Sequence, residues 1–194
     1  MSAEAISTKA GLRAQLRAIL KSQSEAASKS ASAQAVQRLP GQSVWKKATS
    51  VLFYSPIAGE IDLSPLIESA LKSGKTVALP RYAAESGTYE VVQVTDVKRD
   101  CVPGKFGISE PGPHCEAWLL NALDLALVPG LGFDLAGRRL GRGKGFYDRL
   151  LSRIAGAKCG VALDQQILTE IPAENHDVRM DFILTPTRWW EVSG

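Results

Sequence analysis

The apolar positions at the start of the chain recur at helical spacing. Ser7 or Thr8 can cap a helix whose buried side is formed by Leu12, Leu16, Ile19 and Leu20. A run rich in Ala, Ser and Gln between Ser22 and Arg38 indicates a second helix, which Pro40-Gly41 ends. Residues 1–6 show no such pattern and are expected to be disordered.

Further along, short apolar runs alternate with helical segments. The runs at 51–54 and 76–79 predict strands, the second ended by Pro80, on either side of a helix that Ser64 caps and Pro65 begins. A strand, a helix and a strand at this spacing form a βαβ unit with parallel strands.

The second half of the chain continues the alternation. Further buried strands are predicted at 123–128, 159–163 and 182–184, and a more exposed strand at 89–94. A loop is expected at 98–118, a helix starting near Gly143 or Gly145, and a short helix at 165–171 that Asp164 caps. Together these elements predict a single α/β domain with three layers, α/β/α, over residues 1–194.

Composition excludes several classes of protein. The 194 residues are 45% hydrophobic and 22% charged, which is typical of a soluble globular protein and not of a disordered one. Apolar runs stay well below the roughly 18 residues that span a membrane. The three cysteines include no close pair, and the first residues lack an apolar signal core, so we expect a cytoplasmic protein without disulfides or structural zinc.

The net charge of +3 is mild, but it is concentrated locally. Residues 138–153 contain six basic side chains and one acid, Asp148, at the point where a predicted strand passes into a helix. Three alternating glycines in this segment, Gly141, Gly143 and Gly145, let backbone N–H groups approach a ligand closely. The segment predicts a cradle for a polyanion such as phosphate; the alternative is a flexible turn with a solvated basic helix start.

Neither common nucleotide motif is present in this loop. The spacing departs from a Walker A loop, because Arg138 stands where the first glycine is needed, and it is not G-x-G-x-x-G. Asp148 has two open interpretations, which are local charge balance and ligation of Mg²⁺ together with phosphate oxygens.

The segment from Pro129 to Asp148 closely resembles the signature of the 5-formyltetrahydrofolate cyclo-ligase family, also called methenyltetrahydrofolate synthetases. It has the pattern P-G-x-x-F-D-x-x-G-x-R-L-G-x-G-x-G-F-Y-D. Weaker matches follow in family order from the first helix to the last strand, at Lys9 and Arg13, 54–60, 79–81, 106–111, and from Pro172 through His176-Asp177 to Asp181 and Thr185. The implied fold is Rossmann-like and resembles the NagB/RpiA/CoA-transferase-like fold.

The resemblance implies an ATP- and Mg²⁺-dependent enzyme that converts 5-formyltetrahydrofolate to 5,10-methenyltetrahydrofolate, ADP and phosphate. It implies that Arg142 and Lys144 are catalytic and that Asp148 and Asp181 bind the metal. The implied ATP contacts are Lys9, Ala10, Gly11, Leu12, Arg13, Arg139, Leu140, Gly141, Arg142, Gly143, Lys144, Gly145, Phe146 and Tyr147. The implied folate contacts are Ser55, Glu60, Arg142, Gly143, Lys144, Gly145 and Phe146.

Simpler interpretations of these residues remain open. Lys9 and Arg13 are typical of a solvated helix face, Glu60 of a surface loop, and Asp181 of a turn. The aromatic residues Phe53, Trp118, Trp189 and Trp190 are expected to pack in the core. Phe146 stands where the family often has Tyr, so a hydroxyl group at this position is not required.

Two other functions compete with the cyclo-ligase. One is a nucleic-acid-binding module that uses the basic helix at 138–153, and the other is a sugar-phosphate isomerase or CoA-transferase-like enzyme. The expected partners are small molecules, ATP and the formyl folate, with no nucleic acid, no membrane and a monomeric chain.

Overall fold

The computed structural model describes residues 8–104, 107–174 and 176–192. The expectations for residues 1–6, for Ser7 as a cap and for Phe106 as part of a family match fall outside these ranges. Among the described residues, no helix has the length and apolar composition needed to cross a membrane.

Six α-helices are described in these ranges. They are α1 (Lys9–Lys21), α2 (Glu25–Arg38), α3 (Ser43–Lys47), α4 (Ser64–Lys72), α5 (Val97–Asp100) and α6 (Phe146–Leu151). Thr8 caps α1 as predicted, because its hydroxyl accepts a hydrogen bond from the Gly11 N–H at 3.1 Å.

Twelve strands are described in the same ranges. They are β1 (Ser50–Leu52), β2 (Thr76–Ala83), β3 (Thr88–Val94), β4 (Cys101–Pro103), β5 (Ser109–Pro111), β6 (Leu125–Pro129), β7 (Gly132–Asp134), β8 (Arg139–Leu140), β9 (Ala157–Val161), β10 (Ile167–Leu168), β11 (Phe182–Leu184) and β12 (Trp189–Glu191).

Seven of these strands form the central sheet, in the order β12-β11-β9-β6-β1-β2-β3. The five inner strands are parallel and the two edge strands are antiparallel to their neighbours. The chain leaves β1 through α4 toward β2, and it leaves β6 through α6 toward β9, on the other side. The strand order therefore reverses between β1 and β6, which is where open α/β sheets bind ligands, at the carboxyl ends of the strands.

Each face of the sheet supports a separate apolar core, which confirms the three-layer prediction. Alternate strand residues such as Val51, Leu125 and Leu127 pack with α2, α3 and α4 on one face. The intervening residues, such as Leu52 and Ala126, pack with α6 on the other face. This alternation follows from the two-residue period of a strand.

The aromatic residues that were expected to pack do so. Phe53 is buried in the first core and meets the Trp45 ring edge-on at 6.0 Å, while Trp189 packs against the same core. Trp118 and Trp190 pack against the second core.

A small second sheet, β10-β7-β8, lies beside the central sheet and is covered by α1. Leu12 and Leu16 of α1 pack on Leu131, Leu140 and Ile171 in a third apolar cluster. The buried Asp134 carboxylate closes the β7–β8 turn by accepting hydrogen bonds from the backbone N–H groups of Ala136, Arg138 and Ile171. Its place in the Gly-rich motif is therefore structural.

Three sequence predictions differ from the structure. Pro80 does not end β2, which continues to Ala83. The carbonyl of Ala78 and the N–H of Tyr82 both point away from β3, and Pro80, two residues from each, faces the same side. Because β1 has already ended on that side, no strand needs the N–H group that proline lacks. The expected helix at 165–171 is a single 3₁₀ turn followed by β10. The expected loop at 98–118 contains part of α5 and the β4–β5 hairpin.

Replacing Asp134 tests the structural assignment. Asp134→Ala would leave three backbone N–H groups without their acceptor, and that of Ile171 is buried, so we expect the free energy of unfolding to fall by roughly 2–5 kcal/mol. Urea denaturation measures this change, with Glu85→Ala in the exposed β2–β3 turn as the control. Equal stability of the two variants would contradict the assignment.

Candidate active site

A cavity of about 710 Å³ opens at the carboxyl ends of β1 and β6, where the strand order reverses. Ser55 and Glu60 reach it from the segment after β1, and Pro129 and Gly130 from the end of β6. The Gly-rich loop, residues 141–145, and the start of α6 form one wall. Two distant segments also line it: α1, and the residues Glu174, His176 and Asp177.

Most of the predicted site residues line this one cavity. They are Lys9, Arg13, Ser55, Glu60, Arg139, Leu140, Gly141, Arg142, Gly143, Lys144, Gly145, Phe146, Tyr147 and Asp148. The structure does not bring Ala10, Gly11, Leu12 or Asp181 into the lining. The side of α1 that carries Leu12 packs into the third apolar cluster. The adjacent side faces the cavity with Lys9, Arg13 and Arg17, which are spaced one helical turn apart.

The Gly-rich loop depends on glycine at two points. Gly143 and Gly145 have φ angles of +103° and +63°, a region that residues with a side chain rarely adopt. Arg13 holds the loop from α1, because its Nε donates to the Gly141 carbonyl at 2.9 Å. The loop thereby keeps its backbone against the cavity with no Cβ at alternate positions.

Arg139 and Asp148 form the deepest ion pair of the wall. The Arg139 Nη2 donates to Asp148 Oδ1 at 2.9 Å, and the arginine side chain is only 4% exposed. The guanidinium lies 5.6 Å from the centre of the Tyr147 ring, and burial raises the pKa of that tyrosine well above its usual value. Tyr147 therefore stays a neutral phenol at physiological pH.

Arg142 and Glu60 form a second ion pair across the cavity. Arg142 Nη2 donates to Glu60 Oε1 at 3.0 Å, and Glu60 Oε2 accepts from the Ile57 N–H at 3.2 Å. Burial raises the pKa of Glu60, and the hydrogen bond and charge of Arg142 partly offset that rise. Glu60 is therefore a nearly buried carboxylate, and not the exposed loop acid of the simpler interpretation.

Lys9 is clamped at the mouth of the cavity. Its Nζ lies 2.7 Å from Asp177 Oδ2 and 2.8 Å from Glu174 Oε1. Burial opposes charge on Lys9, but the hydrogen bonds that it donates to both acids, together with their negative charge, outweigh this effect and raise the lysine pKa. Lys9 is thus held in position by two acids that are distant in sequence, and it is not the solvated helix residue of the simpler interpretation.

The balance of charge at the site differs from the sequence-based expectation. Of the basic cluster at 138–153, only Arg139, Arg142 and Lys144 line the cavity. Together with the basic residues of α1 they bring six cationic side chains, against five acidic ones: Glu60, Glu110, Asp148, Glu174 and Asp177. The cavity is therefore nearly neutral, and an anion that binds Lys9, Arg139 or Arg142 must compete with the acids that already hold these three cations.

The structure does not bring together Asp148 and Asp181, the two predicted metal ligands. Asp181 precedes β11 at the amino-terminal edge of the sheet, where its Oδ2 accepts from the Lys158 N–H at 2.8 Å. Asp148 lies at the opposite, carboxyl-terminal edge. Parallel strands carry their two ends to opposite edges, so the two carboxylates lie apart in this structure.

One end of the cavity is aromatic, which the sequence did not indicate. The Phe146 ring meets Tyr82 at 5.9 Å and Tyr89 at 5.5 Å, both edge-on, and Tyr82 meets Tyr89 at 5.8 Å. The aromatic cluster, defined as Tyr82, Tyr89 and Phe146, joins β2, β3 and α6. The hydrophobic alternation of residues 89–94 predicts the strand that carries Tyr89, but it does not predict which elements pack against that strand.

Other cavity residues were also missed or given no role. Arg17 lies one helical turn beyond Arg13, a spacing that puts both on one face of α1 and that could have identified it. Glu110, Glu174 and His176-Asp177 come from loops or a hairpin, and only the tertiary fold brings them here.

Comparison with known proteins agrees with the site. The model of the 5-formyltetrahydrofolate cyclo-ligase family matches residues 5–186. The chain is 31% identical to a 5-formyltetrahydrofolate cyclo-ligase of Mus musculus, over 92% of this chain and 93% of that protein. It is 32% identical to one of Escherichia coli K12, over 81% of this chain and 89% of that protein.

A solved structure agrees in fold as well. The 5,10-methenyltetrahydrofolate synthetase of Aquifex aeolicus superposes with a TM-score of 0.86 and 34% identity, covering 96% of this chain and 93% of that one. The motif at 129–148, the cavity that it lines and these matches over nearly the full length lead to one conclusion: the chain belongs to the 5-formyltetrahydrofolate cyclo-ligase family.

Proposed function

We propose that this protein uses ATP and Mg²⁺ to cyclise 5-formyltetrahydrofolate to 5,10-methenyltetrahydrofolate, releasing ADP and phosphate. The observation that carries the proposal is the meeting, in one cavity, of the Gly-rich basic loop with Lys9 and Arg13 on one side and Ser55 and Glu60 on the other. Family membership supports the same activity.

The reaction needs activation because a formamide oxygen is a poor leaving group. Transfer of the γ-phosphoryl group of ATP to the formyl oxygen gives a phosphate ester on the carbon bound to N5. N10 then attacks that carbon, loses its proton, and the carbon–oxygen bond breaks to release phosphate with the former formyl oxygen. The protein has to align the reactants and balance the charge of the transferred group.

Basic side chains on the wall supply that charge balance. Lys144 and Arg142 extend from the Gly-rich loop, and we propose that they contact the transferred phosphoryl group. Lys9, Arg13 and Arg139 contact the rest of the triphosphate, and the exposed N–H groups of the loop add donors without charge. The backbone of residues 139–147 is the remaining part of this ATP surface; Ala10, Gly11 and Leu12 are left out of it.

Arg142 links the two substrates in this proposal. When it turns to phosphate it leaves Glu60 Oε1, and an unpaired buried carboxylate is costly. An N–H group of the folate ring is a suitable replacement, which assigns Glu60 and the neighbouring Ser55 to the folate. Binding of the two substrates is then coupled, because each relieves the cost that the other creates.

Asp148 fits one coordination position of Mg²⁺. Its carboxylate lines the cavity and only Oδ1 is engaged, by Arg139, so Oδ2 faces no described donor. Magnesium is commonly held by one or two carboxylates together with phosphate oxygens and water. The ion supplies positive charge to a site whose own charges nearly cancel, and Asp181 takes no part.

Several broader properties stay part of the proposal. We propose one domain over residues 1–194, a monomer, and a cytoplasmic location, which the three free cysteines support. ATP and the formyl folate are the proposed partners, without nucleic acid or membrane. Family membership does not favour the nucleic-acid module or the isomerase-like enzyme.

Turnover tests the proposed function directly. We expect the absorbance of methenyltetrahydrofolate to grow only when ATP, Mg²⁺ and 5-formyltetrahydrofolate are all present with the protein. Omission of each component in turn is the control. Absence of product in the complete mixture would overturn the proposal.

Removing the two cations tests their assigned role. Lys144→Ala and Arg142→Ala should each lower kcat/KM by about a hundredfold or more, because charge on the transferred group is then unbalanced. Arg153→Ala is the matched control, since Arg153 is exposed in the same basic segment and does not line the cavity. Full activity in both cavity variants would refute the role.

The metal assignment separates the two aspartates. Asp148→Asn should raise the Mg²⁺ concentration at half-maximal rate by about tenfold, because a neutral amide is a weaker ligand. Asp181→Asn should leave the Mg²⁺ titration unchanged, because this residue lies at the opposite edge of the sheet. A shift in the second variant without one in the first would contradict the assignment.

A further inference from the structure

The carboxylate of Glu110 is buried at the aromatic end of the cavity and has no role so far. Glu110 lies on β5, is 6% exposed and lines the cavity. Its Oε2 accepts from the Tyr82 N–H at 3.3 Å. In the part of the chain that the structure describes, its Oε1 has no hydrogen-bond partner.

An unpaired buried carboxylate oxygen is unusual in a folded protein. Such atoms nearly always find a donor, and leaving one without a donor is costly. The fold nevertheless makes room for this side chain, because a Cβ on Gly104 would lie 2.7 Å from the Glu110 carboxyl group. The carboxylate is therefore accommodated by its surroundings while its outer oxygen is left for a donor that is not part of the described chain.

The surroundings indicate what kind of donor fits. The aromatic cluster of Tyr82, Tyr89 and Phe146 stands beside Glu110, and the charge of Glu110 adds to the effect of burial in raising the pKa of Tyr89. Aromatic faces next to a single acceptor suit a flat heterocycle that carries an N–H or amino group at its edge.

The connection to the folate side decides between the two substrates. The hydroxyl of Ser55 donates to the carbonyl of Ser109, the residue before Glu110, so the end of β1 and the start of β5 form one continuous wall. Lys9, by contrast, is held by Glu174 and Asp177, which come from another segment. Glu60 already has a partner on each oxygen, whereas Glu110 Oε1 does not.

We propose that Glu110 binds the reduced pterin ring of the substrate, with Oε1 accepting a hydrogen bond from the amino or ring N–H group of its pyrimidinone edge, while the aromatic cluster contacts the ring. This inference rests on the proposed function for the identity of the substrate. It adds a binding residue that the Gly-rich motif does not contain.

Ligand binding without turnover is the test. Titration calorimetry with 5-formyltetrahydrofolate alone should show about tenfold or greater loss of affinity in Glu110→Leu and a smaller loss in Glu110→Gln, which keeps one acceptor oxygen. Glu116→Leu, an exposed position just beyond the β4–β5 hairpin, is the matched control and should bind as the unaltered protein does. Affinity for a non-hydrolysable ATP analogue should be unchanged in all three.

A substrate analogue without the exocyclic amino group identifies the donor of the hydrogen bond. If that group is the donor, the loss in Glu110→Leu shrinks with the analogue, and if the ring N–H is the donor, the full loss persists for both ligands. Thermal melting shows whether each variant is folded, and Glu110→Gln carries the test if Glu110→Leu does not fold.

The outcomes separate this inference from the function. Unchanged folate affinity in both Glu110 variants, a loss confined to the ATP analogue, or no folate binding by the unaltered protein would overturn it. Folate binding that depends on Glu110 in a protein that forms no methenyltetrahydrofolate would support the inference and defeat the proposed function.

Discussion

Cations on the wall of a half-closed cavity need nearby negative charge, and this need organises the site. Arg139 is held by Asp148, Arg142 by Glu60, and Lys9 by Asp177 together with Glu174. Without Asp148 the buried cation of Arg139 would destabilise the fold, and without Arg142 the buried carboxylate of Glu60 would do so. In the proposed reaction, these partners also affect binding, because a triphosphate has to displace a carboxylate from each of these three cations. A Mg²⁺ ion bound with the triphosphate would supply the positive charge that the nearly neutral cavity lacks.

The fold brings these partners together through the reversal of strand order between β1 and β6. The segments after these two strands leave toward opposite sides of the sheet and open a crevice at its carboxyl edge. Glu60 and Arg142 are 82 residues apart and meet across this crevice. The buried carboxylate of Asp134 fixes the motif before Arg139, and the contact from Arg13 to Gly141 fixes it between Arg139 and Arg142, so its backbone is positioned before a ligand arrives.

The features that could be predicted are those that depend on the pattern of neighbouring residues in the sequence. Hydrophobic periodicity indicated α1, α2 and most central strands, and the glycine spacing indicated the loop that lines the cavity. Pro80 misled because a proline is excluded from a strand only where its N–H would be needed. The sequence also does not show that Asp181 lies at the amino-terminal edge of the sheet, away from Asp148. Phe146 and the match at 106–111 were visible in the sequence, but the meeting of Glu110 with Tyr82, Tyr89 and Phe146 was not, since a hairpin and an edge strand come together there only in the folded chain.

The central claim is that the formyl oxygen itself is phosphorylated in this cavity and leaves with the phosphate. The most direct test is the fate of that atom when the formyl group of 5-formyltetrahydrofolate is labelled with heavy oxygen and the phosphate released in one turnover is analysed by mass spectrometry. The account predicts that each phosphate carries one labelled oxygen. Unlabelled phosphate, formed while methenyltetrahydrofolate accumulates, would contradict it.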